Sequence, residues 1–221
     1  MISPDMQSFP SKCPASRRMR QPATELHTCL ASRGKVGLKP AVFLDRDGTI
    51  NVERGYITDP KLVELYPGVG KALGDLISLG YLVVIVSNQS AIGRHLMDNE
   101  QLVRVNEKLW DLLAQSGARY DALYYCPHAP EEACECRKPK AGLILQAACD
   151  LQIDLSSSYV VGDKLLDVQA GLTIGCRTIL VLTGHGEKTF QQLGMARIQP
   201  DSVQENLDGV LAYIGTNGNH N

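Results

Sequence analysis

The chain has 221 residues, of which 44% are hydrophobic and 21% are charged, as in an ordinary globular domain. The formal net charge is −2, but residues 1–39 hold seven basic and two acidic residues, which leaves 15 basic and 22 acidic residues beyond them. The net negative charge of residues 40–221 argues against nucleic acid as a partner. No apolar run approaches the ~20 residues of a membrane span, so we expect no membrane partner either.

The first 39 residues mix Ser, Pro and Arg without hydrophobic periodicity. We therefore expect residues 1–38 to be a disordered or mis-assigned N-terminal extension, with Met19 as a second candidate start. The stretch is also Arg-rich, Ser-rich and poor in acid, as transit peptides are, although it lacks their amphipathic pattern. We expect residues 39–215 to form a single domain and residues 216–221 to be a polar tail.

Apolar strands alternate with amphipathic helices from residue 41 onward. Strands are predicted over 41–44, 81–86, 122–125, 159–161 and 178–182. Helices are predicted over 67–79, 98–113, 143–151, 165–174 and 203–214. Asp98 and Gln101 form a capping box at the start of the second helix. This alternation predicts an α/β fold with a mostly parallel sheet.

Polar side chains of complementary chemistry follow three of the predicted strands. They are Asp45 and Asp47 after the first, Ser87 and Asn88 after the second, and Asp163 and Asp167 after the fourth. The carboxyl ends of strands in an open α/β sheet border one crevice, so we expect these groups to meet there. Carboxylates suit Mg²⁺, and hydroxyl and amide groups suit phosphate oxygens. The combination predicts phosphoryl transfer, although a plain acidic turn is the alternative for the first pair.

Four segments resemble, in chain order, the motifs of the haloacid dehalogenase-like phosphatase superfamily. They are Asp45-Arg46-Asp47-Gly48-Thr49, Ser87-Asn88-Gln89, Arg137-Lys138-Pro139 and Gly162-Asp163-Lys164-Leu165-Leu166-Asp167. The resemblance extends from Lys39 to Gly186. It implies a Rossmann-like, doubly wound sheet without a large cap domain, and the short spacing between the motifs agrees with that.

The resemblance also implies a mechanism. Asp45 would attack phosphorus and form an aspartyl-phosphate, while Asp47 would protonate the leaving oxygen and then activate water. Mg²⁺ would be held by the carboxylates of Asp45 and Asp163 and by the backbone carbonyl of Asp47.

The same resemblance implies a set of substrate-binding residues. They are Glu53, Arg54, Gly55, Tyr56, Ser87, Asn88, Gln89, Arg137 and Lys138. Lys138 would neutralise the transferring phosphoryl group. Lys164 and Asp167 belong either to the site or to a surface ion pair beside the metal.

Cysteines crowd into one short loop with the pattern C-x-H-x5-C-x-C, formed by Cys126, His128, Cys134 and Cys136. Four soft or borderline ligands without an open position predict a structural, tetrahedral Zn²⁺ site. The odd total of seven cysteines suits metal binding in a reducing compartment better than a disulfide framework, so we expect a cytoplasmic protein. The zinc loop would fix the positions of the cationic side chains of Arg137 and Lys138, which follow Cys136 directly.

The cysteine loop resembles the branch of the superfamily that contains phosphatases of heptose bisphosphate and of histidinol phosphate. Arg54 and Arg137 are two cationic anchors, which favour a small sugar bisphosphate. We therefore expect heptose 1,7-bisphosphate as the substrate, and the resemblance implies removal of its 7-phosphate, with the anomer left open. We also expect a monomer. Glu53 could accept the amine of histidinol phosphate, and the spacing between His128 and Cys134 resembles that enzyme as well, so this substrate is the alternative.

A hypothesis of a different class is a non-catalytic module that binds nucleic acid or a phosphorylated partner. The zinc loop with Arg137 and Lys138 would supply its binding surface. Such a module would have no need of Asp45, Asp47 and Asp163, so their presence favours the enzyme.

Overall fold

The structure, a computed structural model, describes residues 13–14, 16–32, 34 and 37–218. Predictions for the other positions of the N-terminal extension, and for the last three residues of the polar tail, lie outside the described residues. None of the described helices has the length and apolar content of a membrane span.

Helices and strands alternate along the described chain, as the sequence predicts. The helices are α1 (Ala23–Ala31), α2 (Val69–Ser78), α3 (Asn99–Gln115), α4 (Gly142–Leu151), α5 (Leu165–Thr173), α6 (Gly186–Ala196) and α7 (Leu207–Asn217). The strands are β1 (Ala41–Leu44), β2 (Leu82–Asn88), β3 (Ala122–Cys126), β4 (Tyr159–Gly162), β5 (Arg177–Val181) and β6 (Ser202–Gln204). The predicted capping box of α3 is present, with Asp98 and Gln101 bonded to each other's backbone N–H groups.

The six strands form one sheet in the order β3-β2-β1-β4-β5-β6, and every pair is parallel. Phe43 of β1 lies beside Val84 of β2 on one side and Val160 of β4 on the other. From β1 to β3 each new strand is added toward one edge of the sheet, and from β4 to β6 each is added toward the opposite edge. The carboxyl end of β1 is therefore at the topological switch point, where open α/β sheets bind ligands.

Both faces of the sheet are covered, which confirms the predicted doubly wound arrangement. Side chains alternate along β1, so Val42 and Leu44 enter the core on the α2, α3 and α7 side. Ala41 and Phe43 enter the core on the α4 side. Burial on both faces explains why the strands read as continuous apolar runs.

The N-terminal region holds an element that the sequence analysis did not predict. The expectation of no folded element before residue 39 is wrong for residues 23–31, which form α1. Leu26 is fully buried against Ala141, Leu145 and Cys149 of the α4 region. Leu26, Cys29 and Leu30 share the face of α1 that packs on α4, but only Leu26 is fully buried and the stripe is three residues long, so the sequence analysis missed it.

The predicted helix over 203–214 begins too early, and α6 was not predicted. Val203 lies in β6, which pairs with β5, and the helix starts only after Asn206. The Asn206 side chain accepts hydrogen bonds from the backbone N–H groups of Asp208 and Gly209, as an N-cap residue does. Val203, Leu207 and Val210 happen to match helical spacing, so periodicity alone could not separate the strand from the helix.

Candidate active site

A cleft of about 210 Å³ lies at the carboxyl ends of the central strands. Its lining residues come from the last residues of β2, the first turn of α5, and the loops that follow β1, β2, β3 and β4. They are Asp45, Asp47, Glu53, Gly55, Tyr56, Ser87, Asn88, Gln89, Ser90, Arg137, Lys164 and Leu166. Most of the predicted site residues therefore meet in one place.

Asp45 directly follows β1 and is almost fully buried at the base of the cleft. Its backbone N–H donates to the carbonyl of Val161, which continues the pairing with β4. The ammonium of Lys138 lies 3.0 Å from Asp45 Oδ1, and the backbone N–H of Arg46 donates to the same oxygen at 2.8 Å. These contacts fix the carboxylate and compensate its charge.

Asp47 is held by three side chains at once. Nε and Nη2 of Arg46 contact both carboxylate oxygens at 2.9–3.1 Å. Asn51 donates to Oδ1 and Gln89 to Oδ2, each at 2.9 Å. Burial would raise the pKa of Asp47, but the Arg46 charge and these hydrogen bonds outweigh it and hold the pKa below its ordinary value. Asp47 is therefore a carboxylate in the free protein.

Three buried carboxylates crowd together behind the cleft. One oxygen each from Asp45, Asp163 and Asp167 lies within 4.8 Å of the others. Burial and the nearby Asp45 charge raise the pKa of Asp163 to about 7. Burial likewise raises the pKa of Asp167 to about 6, although Lys138 opposes the shift. A cluster whose negative charges repel one another suits a bound cation.

The oxygens predicted to ligate Mg²⁺ converge on one position. Asp163 Oδ1 is buried and accepts no hydrogen bond from the described residues. The cationic Nζ of Lys164 lies 3.6 Å from that oxygen, 3.3 Å from the Asp47 carbonyl and 4.0 Å from Asp45 Oδ2. The three oxygens thus surround one position that attracts positive charge. Two carboxylate oxygens and a carbonyl oxygen are hard donors, so this set fits Mg²⁺.

The cysteine loop brings its four predicted ligands together. Sγ atoms of Cys126, Cys134 and Cys136 lie 3.2–3.5 Å apart, and Nδ1 of His128 lies 3.2 Å from Cys136 Sγ. A tetrahedral site with Zn–S bonds of ~2.3 Å has ligand–ligand edges of roughly 3.7 Å, close to this packing. The hydrogen bond between Cys136 and Cys126 lowers the pKa of Cys126 to about 5 and raises that of Cys136, so Cys126 is the thiolate of this pair. The residues fit zinc.

The cysteine loop is tied to the cleft through the two cations that follow Cys136. Asn88 Nδ2 donates to the Lys138 carbonyl, and the Lys138 backbone N–H donates to Asn88 Oδ1, both at 3.1 Å. Nη1 of Arg137 donates to the His128 carbonyl at 3.4 Å. The position of the loop therefore sets the positions of Arg137 and Lys138.

Two family models match the chain. The polynucleotide kinase 3 phosphatase model matches residues 42–169, and the HAD-hydrolase-like model matches residues 135–210. Together they span the strand ends that carry the cleft residues.

A relative from Haemophilus ducreyi, D-glycero-beta-D-manno-heptose-1,7-bisphosphate 7-phosphatase, is 47% identical over 189 residues. The match covers 80% of this chain and 98% of the relative. This chain belongs to the haloacid dehalogenase-like phosphatases. A protein of the same name from Vibrio cholerae is 41% identical over 175 residues, which cover 76% of this chain and 94% of that protein. As a phosphatase, the chain is an enzyme, and the hypothesis of a non-catalytic module is not retained.

Solved structures agree with this placement. The D,D-heptose 1,7-bisphosphate phosphatase of B. bronchiseptica, complexed with magnesium and phosphate, superposes with a TM-score of 0.75 at 34% identity. The superposition covers 80% of this chain and 99% of that one. The corresponding protein from Burkholderia thailandensis gives a TM-score of 0.63 at the same identity and coverage.

Two predicted substrate-binding residues of this phosphatase lie outside the cleft lining. Arg54 is half-exposed and pairs with Glu64 on the surface. Lys138 lies beneath the cleft, where its Nζ contacts Asp45 and donates to the Val86 carbonyl at 2.7 Å. Lys138 therefore contacts Asp45 from beneath the cleft and does not line the cleft itself.

The sequence analysis missed several residues of the phosphatase site. Ser90 and Leu166 line the cleft, and Arg46 with Asn106 forms the buried support of Asp47. Asn106 is a polar residue in the buried stripe of α3, which marks it as unusual, but the sequence does not show that Arg46 is its partner. Arg46 belongs to the first motif, but the spacing of the motif does not predict its contact with Asn106.

Proposed function

We propose that this phosphatase hydrolyses D-glycero-β-D-manno-heptose 1,7-bisphosphate at the 7-position through an aspartyl-phosphate. The observation that carries the proposal is the buried Asp45 at the end of β1, paired with Lys138 and followed two residues later by Asp47. Relatives that the chain covers almost end to end carry that activity in their name.

Asp45 is the proposed nucleophile. One of its carboxylate oxygens attacks phosphorus, the bond from phosphorus to the sugar oxygen breaks, and that oxygen takes a proton from Asp47. Water then attacks the aspartyl-phosphate and gives a proton back to Asp47, which releases phosphate and restores Asp45. Lys138 offsets the negative charge on the phosphoryl group in both steps.

Asp47 is the proposed general acid and base. Its low pKa means that it is ionised before substrate arrives, so it must take up a proton for the first step. A negatively charged phosphate close to the carboxylate raises its pKa and promotes that uptake. In the second step the same carboxylate is already in the form that accepts a proton from water.

Mg²⁺ is the proposed cofactor, held by the carboxylates of Asp45 and Asp163 and by the Asp47 carbonyl. When bound, it would supply positive charge to the phosphate oxygens. The orphan oxygen of Asp163 and the convergence of the three groups support this assignment. Asp167 contributes indirectly, since it pairs with Lys138.

Substrate recognition is assigned to the loop after the first motif and to the second and third motifs. Ser87 and the backbone amide of Asn88 would hold the transferring phosphoryl group, and Gln89 links Ser87 to Asp47 by hydrogen bonds of 2.7 and 2.9 Å. Gly55, Tyr56 and Arg137 would contact the rest of the sugar bisphosphate.

Two side chains of that loop bear on the choice of substrate. Arg54 would reach a second phosphate after leaving Glu64, and an exposed pair of this kind costs only ~0–1 kcal/mol to break. Glu53 contacts Lys164 at 2.8 Å, so it is already paired and less suited to the amine of histidinol phosphate. Both features favour the bisphosphate.

The cysteine loop is proposed to hold one structural Zn²⁺ through Cys126, His128, Cys134 and Cys136. We also propose that the enzyme acts as a monomer in the cytoplasm, with neither nucleic acid nor membrane as a partner. All seven cysteines lie among the described residues and none of them is in a disulfide, which suits a reducing compartment. Residues 39–215 are proposed as the catalytic domain, with the N-terminal region packed onto it.

A phosphate-release panel tests the substrate. It compares both anomers of heptose 1,7-bisphosphate with histidinol phosphate and fructose 1,6-bisphosphate, with Asp45→Asn protein as the control for contaminating phosphatases. We expect the highest kcat/KM for the β-anomer. A kcat/KM for histidinol phosphate equal to or above that of either heptose anomer would overturn the assignment.

A further inference from the structure

The described residues of 13–32, named here the N-terminal segment, lie along the sheet edge formed by β3 and precede both family-model matches. The Arg17 N–H donates to the Leu123 carbonyl at 2.8 Å, and the Tyr125 N–H donates to the Arg17 carbonyl at 2.9 Å. Arg17 thereby forms a parallel bridge with Tyr124. The segment covers backbone groups that an open edge would expose, and the pairing fixes its register.

Contacts hold the N-terminal segment in place on both sides of this bridge, and before it Sγ of Cys13 lies 3.1 Å from the Tyr120 hydroxyl. The Arg18 guanidinium lies 5.2 Å from the centre of the Tyr125 ring and donates to the Tyr125 hydroxyl at 2.8 Å. Further along, Gln146 Oε1 accepts the backbone N–H of Arg20 at 3.1 Å. Ser16 therefore has a defined position beside α3.

Ser16 is connected to the active site through one buried side chain. Asn106 of α3 donates from Nδ2 to Ser16 Oγ at 3.0 Å, and its Oδ1 accepts from Nη1 of Arg46 at 2.9 Å. Because a guanidinium only donates, Oδ1 must face Arg46 and Nδ2 must face Ser16. The two contacts together fix the orientation of the amide.

Arg46 in turn grips Asp47 with two nitrogens while its third nitrogen is held by Asn106. A planar guanidinium held on both sides cannot swing in its plane, so the carboxylate that it grips is also held. We propose that Ser16, Asn106 and Arg46 are positioning residues that hold Asp47 in its reactive orientation. The proposal rests on the acid–base role proposed above for Asp47.

Loss of the Ser16 hydroxyl would leave the buried amide of Asn106 without its acceptor. Within the protein the amide can then gain a new partner by rotating, and rotation takes Oδ1 away from Arg46. The guanidinium then gains freedom at one end, and Asp47 can shift as far as its bonds to Asn51 and Gln89 allow. Small displacements of an acid–base group lower the rate of the chemical step more than they change substrate binding.

The test is a double-mutant cycle on the full chain, read as kcat and KM for heptose 1,7-bisphosphate. We expect Ser16→Ala to lower kcat about fivefold, the factor for one net hydrogen bond, with KM within about twofold. In an Asn106→Ala background the same substitution should change kcat by less than about 1.5-fold, because the connection is already broken. Ser16→Thr keeps the hydroxyl and should keep kcat within about twofold.

Thr28→Ala is the matched control, since the Thr28 hydroxyl lies in the same segment and, among the described residues, bonds only to the Thr24 carbonyl of α1, at 3.1 Å. It should leave kcat unchanged. The proposal is overturned if Ser16→Ala leaves kcat unchanged, if it lowers kcat equally in both backgrounds, or if Ser16→Thr loses as much as Ser16→Ala. Full activity of Asp47→Asn, measured in parallel, would instead remove the acid–base role itself and this proposal with it.

Discussion

The ammonium of Lys138 lies 2.6 Å from Asp167 Oδ1, and both side chains are almost fully buried. The same ammonium lies 3.0 Å from Asp45 Oδ1. Burial would lower the pKa of Lys138, but the two carboxylates raise it above its ordinary value, so the cation stays charged. Asp167 thus holds the Lys138 ammonium next to Asp45, the proposed nucleophile. The Asp167 side chain is only 1% exposed, so it does not belong to a surface ion pair.

Asp45→Asn should abolish turnover while leaving the fold intact. The amide cannot attack phosphorus, whereas Lys138 keeps Asp167 as its partner. We expect kcat below about a thousandth of the wild-type value, with an unchanged circular dichroism spectrum. Asp98→Asn is the matched control, because asparagine caps a helix as well as aspartate does and α3 should be unaffected. Turnover well above a thousandth would exclude covalent catalysis by Asp45.

Mg²⁺ should stabilise the protein more at pH 8 than at pH 5.5. The pKa of Asp163 is about 7 in the folded chain, against about 3.9 for an ordinary aspartate. The folded state therefore binds the extra proton between these values, and the free energy of unfolding of the metal-free protein falls as the pH rises through that window. Above it the carboxylates are ionised and bind the cation without competition from protons.

The measurement is the thermal midpoint of EDTA-treated protein with and without MgCl₂ at the two pH values. Asp163→Asn is the control variant, since it removes the carboxylate whose oxygen lacks a partner. The Mg²⁺-dependent shift should disappear in that variant. An equal shift at both pH values in the wild type would contradict the assignment of the acidic cluster as the cation site.

Purified protein should contain close to one zinc per chain, and Cys134→Ser should lose it. A structural zinc contributes its binding energy to folding, so we expect a loss of about 3 kcal/mol, or roughly 10 °C in Tm. Elemental analysis and thermal unfolding measure the two effects. Cys29→Ser is the matched control, because Cys29 is in α1 and not in the cysteine loop. This variant should keep both its zinc and its Tm. Folded, active protein free of zinc would argue against a structural metal.

The sequence predicts the centre of the fold well because parallel strands buried on both faces are continuous apolar runs. Once the runs that end before Asp45, Ser87 and Asp163 are recognised, the topology of a parallel sheet brings their carboxyl ends together. The cysteine loop is predictable for a similar reason, since ligand spacing is local in sequence.

The parts that the sequence did not predict depend on contacts between distant residues. Asn106 supports Arg46 across 60 positions of the chain, and no local pattern marks that contact. The edge strand β6 is only three residues long, so Val203 was assigned to the helix that follows. Helix α1 fully buries only Leu26 against α4, more than a hundred residues later, and its apolar face of Leu26, Cys29 and Leu30 is too short to stand out in the sequence.

Leu26→Ala tests whether α1 belongs to the folded protein. Leu26 is fully buried against Leu145 and Cys149, so truncation leaves a cavity, and we expect the free energy of unfolding to fall by about 2–4 kcal/mol. Leu172→Ala removes the same atoms from a half-exposed leucine of α5 and should cost less than about 0.5 kcal/mol. Urea unfolding with a common slope measures both. Equal stability of the two variants would mean that α1 does not pack on α4 in solution, since a helix that is detached from the domain leaves no cavity when its leucine is truncated.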